Sequence, residues 1–383
     1  MRSRLGEPLA LVLPLLFATA LIYALSAGFV PQLDDVTRPL TPDNHAYIAL
    51  CRGHFAGIEE PFRFRILAPF LAGLAGDCTR GFLVLDFLCS SGGAIAIAFT
   101  TARITPIYAF RLLAGLLYLA LFCPRAHEAP WLTDAFASAG SAAAFALTTR
   151  RGHGPVLRGL TGGLAAISGL GRELLPPLFL RMRMLISALR SRHWPELSSY
   201  GPALLGVAVY ILATRVIGPQ IGALSTYVTD VLSDTAAKDD PERYWAAMLG
   251  SMYFLWPYGF AWMLVRQPAS EARRDLRAQA GLVIGLSLLQ SMMGGDIGRL
   301  FRLFALPVFA VAAIDVAANL AGRPAQILLG VCLALSALMS SYGLMVMPLD
   351  PFQMVSGALL ALNATAVGFA VWQSRQTRTS SRP

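Results

Sequence analysis

The sequence predicts an all-α integral membrane protein, with about 12 transmembrane helices and a long first external loop that contains an interfacial helix. Three observations predict it. Apolar runs of about 20 residues, the length a helix needs to cross the hydrocarbon core, recur along the chain. Hydrophobic residues make up 56% of the 383 positions and charged residues 14%, a balance foreign to water-soluble domains. The cations gather in short segments between the apolar runs, as in loops retained on the cytoplasmic side.

That placement also explains the formal charge of +9 and the pI near 9.7, so the basic balance does not point to nucleic acid. Lys238 is the only lysine. The amino terminus, MRSR before an apolar run from Pro8 to Val30, begins like a signal peptide. Its apolar part is too long for one, and Leu25-Ser-Ala27 is a poor cleavage site, so the run reads as an uncleaved first span. The five cysteines follow no metal-ligand spacing. Cys51 and Cys78 fall in the first loop, where they can pair if it faces an oxidising compartment or stay as two thiols.

Arg2 and Arg4 hold the start of the first span inside, so the loop at about 31–81 is external. Within it, Phe62 to Gly76 carries Arg63 and Arg65 at its start and Pro69 inside, and is short for a span; it reads as a helix on the outer leaflet. Charge supports this. If it does not cross, Phe82–Thr101 runs inward, Tyr108–Cys123 outward and Asp134–Thr149 inward, which leaves Arg150, Arg151 and Arg158 in the cytoplasm. Leu160–Leu170 then goes out, and Leu174–Leu189 returns with Arg181 and Arg183 snorkelling or lining a cavity. Pro202–Ile217 goes out to an external loop at about 218–244, and Trp245–Val265 returns to the basic segment Arg266–Arg277. Ala278–Met293, Leu300–Asn319, Ala325–Tyr342 and Phe352–Trp372 complete the spans.

Residues 1–373 thus form one polytopic domain with both termini cytoplasmic, and 374–383 a polar, disordered tail. The second external loop covers about 124–133. Small-residue clusters at Ala137–Ala143 and Gly159–Leu164 read as close helix packing.

This topology gathers charge on the external face. Asp43 and His45 lie in the first loop, and His127, Glu128 and Asp134 in or after the second. Arg172 and Glu173 sit at the next outward turn; Asp296, Arg299 and Arg302 sit at a later one. Charges at span ends are costly against lipid, so residues from separate loops point to a shared aqueous pocket. In such a pocket a carboxylate, Asp43, can act as general base toward a hydroxyl. Arg63, Arg65, Arg299 and Arg302 can hold a phosphate with bidentate hydrogen bonds. Simpler roles are open for each residue. Asp43 and Asp134 can cap helices, His45 can be a loop polar group, and Arg63 and Arg65 can anchor to headgroups. Arg172–Glu173 and Asp296–Arg299 can be ion pairs.

An acid in a long first external loop, the segment PFRFRILAP after it, WLTDAFA, GRELLPP and the late GGDIGRLFRLFALP together resemble the GT-C superfamily of multispanning glycosyltransferases. The resemblance covers the layout of most of the chain. It implies sugar transfer from a polyprenyl-phosphate-linked donor to a glycan, lipid or protein acceptor, at the outer face of a bacterial inner membrane. The implied base maps to Asp43, with Asp34 and Asp35 nearer the first span, and the second-loop acid maps to Asp134. No cofactor is required by the residues; a divalent metal is compatible with acids on that face. The alternative is a transporter or flippase of a lipid-linked or anionic solute, which would also place Arg in a cavity.

Overall fold

A computed structural model of the chain describes residues 6–26, 42–54, 58, 65–128, 133–150, 154–172, 174–192, 200–217, 241–264, 270–292, 297–319, 322–346 and 349–380. Among these residues the structure is helical, with no strand. In order the helices are α1 (Gly6–Ser26), α2 (Pro42–Cys51), α3 (Leu67–Gly73), α4 (Cys78–Thr101) and α5 (Tyr108–Glu128). Next come α6 (Asp134–Thr148), α7 (Pro155–Gly171), α8 (Met182–Ser191), α9 (Gly201–Ile217) and α10 (Pro241–Ser251). The last are α11 (Trp256–Leu264), α12 (Glu271–Met292), α13 (Ile297–Asn319), α14 (Arg323–Val346) and α15 (Leu349–Ser380).

Among the described residues four stretches are long and apolar enough to cross a membrane: Pro8–Leu25, Cys78–Thr101, Gly298–Asn319 and Met354–Gln376. Their surroundings differ. α13 is buried from Leu300 to Ala318, whereas α1 and α15 are mostly open and present Leu13, Phe17, Phe369 and Trp372 outward. Apolar side chains on the outside and a buried apolar helix at the centre are what a bundle in lipid requires. Hydroxyls in the helices turn back on their own backbone, as Thr101 does to the Ile97 and Ala98 carbonyls and Ser287 to Val283, so little polar surface faces outward.

Side-chain contacts fix two ends of the bundle. At one, Tyr23 of α1 meets Asp86 of α4, Tyr244 meets Ser291, and Asp134 lies beside Arg299. At the other, Tyr108 donates to the Ala10 carbonyl, Arg103 to Thr149, and Arg273 and Trp262 to Asp315. We call these the Asp134 end and the Asp315 end. The segment between α1 and α4 leaves and rejoins the bundle at the Asp134 end. Within it, the expected surface helix over Phe62–Gly76 is α3, seven residues at Leu67–Gly73, about 10 Å long and far too short to cross. A Cβ at Gly81 would lie 1.8 Å from the Ala72 carbonyl oxygen, so only glycine lets α3 rest on the start of α4. Asp77 caps α4, accepting from the Thr79 and Arg80 amides at 2.8 and 3.3 Å. The open question of the cysteines is decided: Cys51 and Cys78 form a disulfide that ties α2 to α4.

Two expected spans are interrupted. Leu174–Leu189 divides into a 3-10 turn at Pro176–Phe179 and α8. Pro176 and Pro177 lack amide hydrogens for a continuous helix, and Arg183 is drawn to Glu271 and Asp275 at 3.2 and 2.6 Å. Trp245–Val265 divides into the end of α10, a 3-10 turn at Tyr253–Leu255, and α11, which starts around Pro257. The polar tail from 374 is helical through Ser380 as the end of α15. Of the small-residue clusters, Gly140 meets Leu175, whereas Gly159, Gly162 and Gly163 have open space. Close contact of α7 with α9 runs instead through Gly169 and Gly206. The loop expected at 218–244 is outside the described residues up to 240.

Opening the Cys51–Cys78 bridge, by reductant or by C51S/C78S, frees two points separated by 27 residues, an expected loss of roughly 3 kcal/mol from the α2–α3 region. Hydrogen exchange checks it: amides of 42–54 and 65–74 should exchange faster while those of α13 do not change.

Candidate functional site

The Asp134 end carries an ionic cluster built from three separate helices. Asp134 opens α6, and its N-cap residue Thr133 makes no side-chain capping bond. The Asp134 carboxylate serves another purpose: Oδ1 accepts from Arg172 Nη1 at 3.3 Å and Oδ2 lies 3.2 Å from Arg299 Nε. Arg172 follows the last residue of α7 in extended conformation. A Cβ at Gly171 would overlap the Phe136 ring at 1.9 Å, so glycine there lets the end of α7 lie against α6 and delivers Arg172 to Asp134. Arg299 belongs to the first turn of α13. One turn further, Arg302 is buried and donates from Nη1 to the Leu121 carbonyl at 3.2 Å.

The Arg172 side chain is 4% exposed, that of Asp134 12% and that of Arg299 28%. The cluster therefore grades from a buried cation to one that reaches the surface. Close behind it is Asp86, buried in α4, which accepts a 2.5 Å hydrogen bond from Tyr23 and lies near enough to Asp134 for the two carboxylates to repel. The arginines flanking α4 and opening α5 bond elsewhere: Arg80 lies beside Asp77, Arg103 bonds Thr149 and the Ala146 carbonyl, and Arg111 the Thr105 carbonyl.

Beside the cluster an apolar groove of about 320 Å3 runs between α4, α6 and α7. Leu88, Phe136, Gly140, Ile167, Leu175 and Phe179 form its walls. Phe136 is two residues from Asp134 and Leu175 three from Arg172, so the groove starts where the charges end. The small residues Ala139, Gly140 and Ala143 leave this space open instead of closing a helix contact.

Asp134, Arg172 and Arg299 thus converge, with Arg302 one turn away, as a shared pocket requires. Arg172 and Arg299 both pair with Asp134; the alternative pairs with Glu173 and Asp296 fall on residues outside the described ones, as do Arg63 and the side chains of His127 and Glu128. Asp43 stands half-exposed in the first turn of α2 and His45 is exposed on the same helix. Arg65 is buried and donates to the Tyr47 hydroxyl at 3.3 Å, beside a small second core of Tyr47, Ile48, Leu50, Ala72 and Phe82. Of Arg65, for which the sequence leaves both a phosphate-holding and a headgroup-anchoring role open, the structure shows burial against Tyr47. Among the described residues no three His, Cys, Asp or Glu side chains gather as metal ligands. The groove and the Tyr23 partner of Asp86 carry no motif in the sequence; the signal for Asp86 was a lone acid inside an apolar run.

No family model, curated protein or solved structure matches this chain.

Asp134→Asn removes the charge between two guanidinium groups, one of them buried. The expected cost is about 3–5 kcal/mol of stability, read as a fall in thermal unfolding temperature in detergent. Arg299→Gln, at the exposed edge, should cost clearly less.

Proposed function

We propose that the chain spans a bacterial inner membrane about 12 times, with both termini and the Asp315 end in the cytoplasm, and transfers a sugar from a polyprenyl-phosphate-linked donor at the Asp134 end. The observation that carries this reading is the join of an arginine-rich cluster to an apolar groove. A lipid-linked phosphate has the same two parts, an anionic head and a hydrocarbon tail. Arg172, Arg299 and Arg302 supply guanidinium groups suited to phosphate oxygens, and the groove supplies a tail with apolar walls. Sidedness has two supports. A disulfide at the Asp134 end fits an oxidising compartment, and Arg103, Arg150, Arg158, Arg190 and Arg323 at the Asp315 end fit cytoplasmic retention.

In this reading Asp43 accepts the proton of the acceptor hydroxyl, whose oxygen attacks the anomeric carbon from the side opposite the phosphate. The bond from that carbon to the phosphate oxygen breaks with inversion, and the charge left on the phosphate is held by the arginines. Asp134 positions Arg172 and Arg299, which makes it less suited than Asp43 to be the base. His45, exposed on the same helix as Asp43, would lie at the rim of that face.

The interrupted segments at 174–191 and 241–264 favour one second reading, a transporter of a lipid-linked solute, because discontinuous helices line many transport sites. Proteoliposomes given polyprenyl-phosphate sugars separate the two. Transfer releases the polyprenyl phosphate and needs an acceptor; transport moves the intact lipid-linked sugar. Asp43→Asn should lower transfer by about 100-fold or more with donor binding retained. Wild-type turnover in this variant would remove Asp43 from the mechanism.

A further inference from the structure

A second cavity, of about 480 Å3, lies at the Asp315 end, and the proposed reaction makes no use of it. Arg150 after α6, Arg181 and Arg183 at the start of α8, and Glu271, Asp275 and Gln279 of α12 form its wall. The site is held in place from below. Gln279, buried at 2% exposure, donates to the Leu178 carbonyl at 2.8 Å and accepts from the Met182 amide at 3.3 Å. These bonds fix the break between the 3-10 turn and α8, and so set where Arg181 and Arg183 stand.

Charge in the cavity is unbalanced. Among the described residues of the wall the three guanidinium groups of Arg150, Arg181 and Arg183 face two carboxylates: Glu271 and Asp275 bind Arg183 at 3.2 and 2.6 Å, and Asp275 attracts Arg181 as well. Behind them stands Arg103, partly buried and held by Thr149 and the Ala146 carbonyl. Burial first, and then repulsion from Arg150, pull its guanidinium down to about 10, against an opposing attraction from Asp275. A cavity with this excess of cations is stabilised by an anion. Its position selects the kind: α8 is a ten-residue helix with Leu189 60% exposed beside exposed Arg190 and Arg192, the pattern of a helix lying at a membrane surface. The cavity therefore opens at headgroup depth.

We propose that this cavity binds a phosphate ester anion of the kind an anionic phospholipid carries in its headgroup, held by Arg150 and Arg181. Basic pockets between helices on the cytoplasmic side of a membrane suit such headgroups. Occupancy would clamp α8 to α6 and α12, the helices on either side of it.

The full chain in detergent, titrated with phosphatidylglycerol or phosphatidylcholine and read by native mass spectrometry, tests this. Phosphatidylglycerol should bind in preference, and R150Q/R181Q should weaken it about tenfold or more, whereas Arg323→Gln, an exposed cation at the same end outside the cavity, should leave it unchanged. R150K/R181K should restore part of the binding, because charge returns without the bidentate fork. Arg150→Gln alone, at a solvent-exposed position, carries the test if the double variant does not fold. Displacement of the lipid by excess inorganic phosphate would assign recognition to the phosphate itself; retention against it would assign the site to the whole headgroup and chains. Equal affinity for both lipids, or equal losses in R150Q/R181Q and Arg323→Gln, would overturn the proposal.

Discussion

Burial of α13 is the constraint on which the rest depends. Its stretch from Leu300 to Ala318 is buried inside the bundle, and α4, α5, α6, α10, α11, α12 and α14 pack against it. Trp256 stacks on Phe301 and meets Phe309 edge-on, and Gly259 admits the Phe309 ring. Pro307 removes one amide from the helix ladder, and Ser141 of α6 donates to the nearby Phe304 carbonyl at 3.2 Å. Because α13 is fixed on all sides, the polar groups at its two ends are fixed as well.

Those ends do different work. At one, Arg299 and Arg302 enter a cluster with Asp134 and Arg172 next to an apolar groove. At the other, Asp315, 1% exposed, accepts from Trp262, Arg273 and Asn319 at 2.7–2.9 Å and joins α11, α12 and α13. A buried carboxylate with this many donors is a structural junction. The Asp134 cluster differs in grading outward to Arg299 and in bordering open space, and this difference separates a candidate site from a support.

Legibility varied with how local each cause was. Arg299, Arg172 and Asp134 stood out in the sequence because charge at the end of an apolar run is costly, and their gathering on one face followed from counting crossings. Their pairing did not follow. Neither arginine is near Asp134 in sequence; packing of α6, α7 and α13 puts Asp134 between the two. Likewise Asp86 meets Tyr23, 63 residues away, because α1 lies against α4. Asp315 drew no notice amid its apolar run, though it anchors three helices.

The sequence by itself determined the helical character of the described residues, with apolar helices suited to a membrane, and the gathering of Asp134, Arg172 and Arg299 at one end of the bundle. Each of these is set by length, hydropathy or the local cost of a charge, quantities that one segment carries alone. Tertiary structure decided that Cys51 binds Cys78, that prolines and arginines break two spans, which carboxylate meets which guanidinium, and that small residues of α6 open a groove instead of closing a contact. These depend on the distance between segments far apart in the chain, which only the packing around α13 sets.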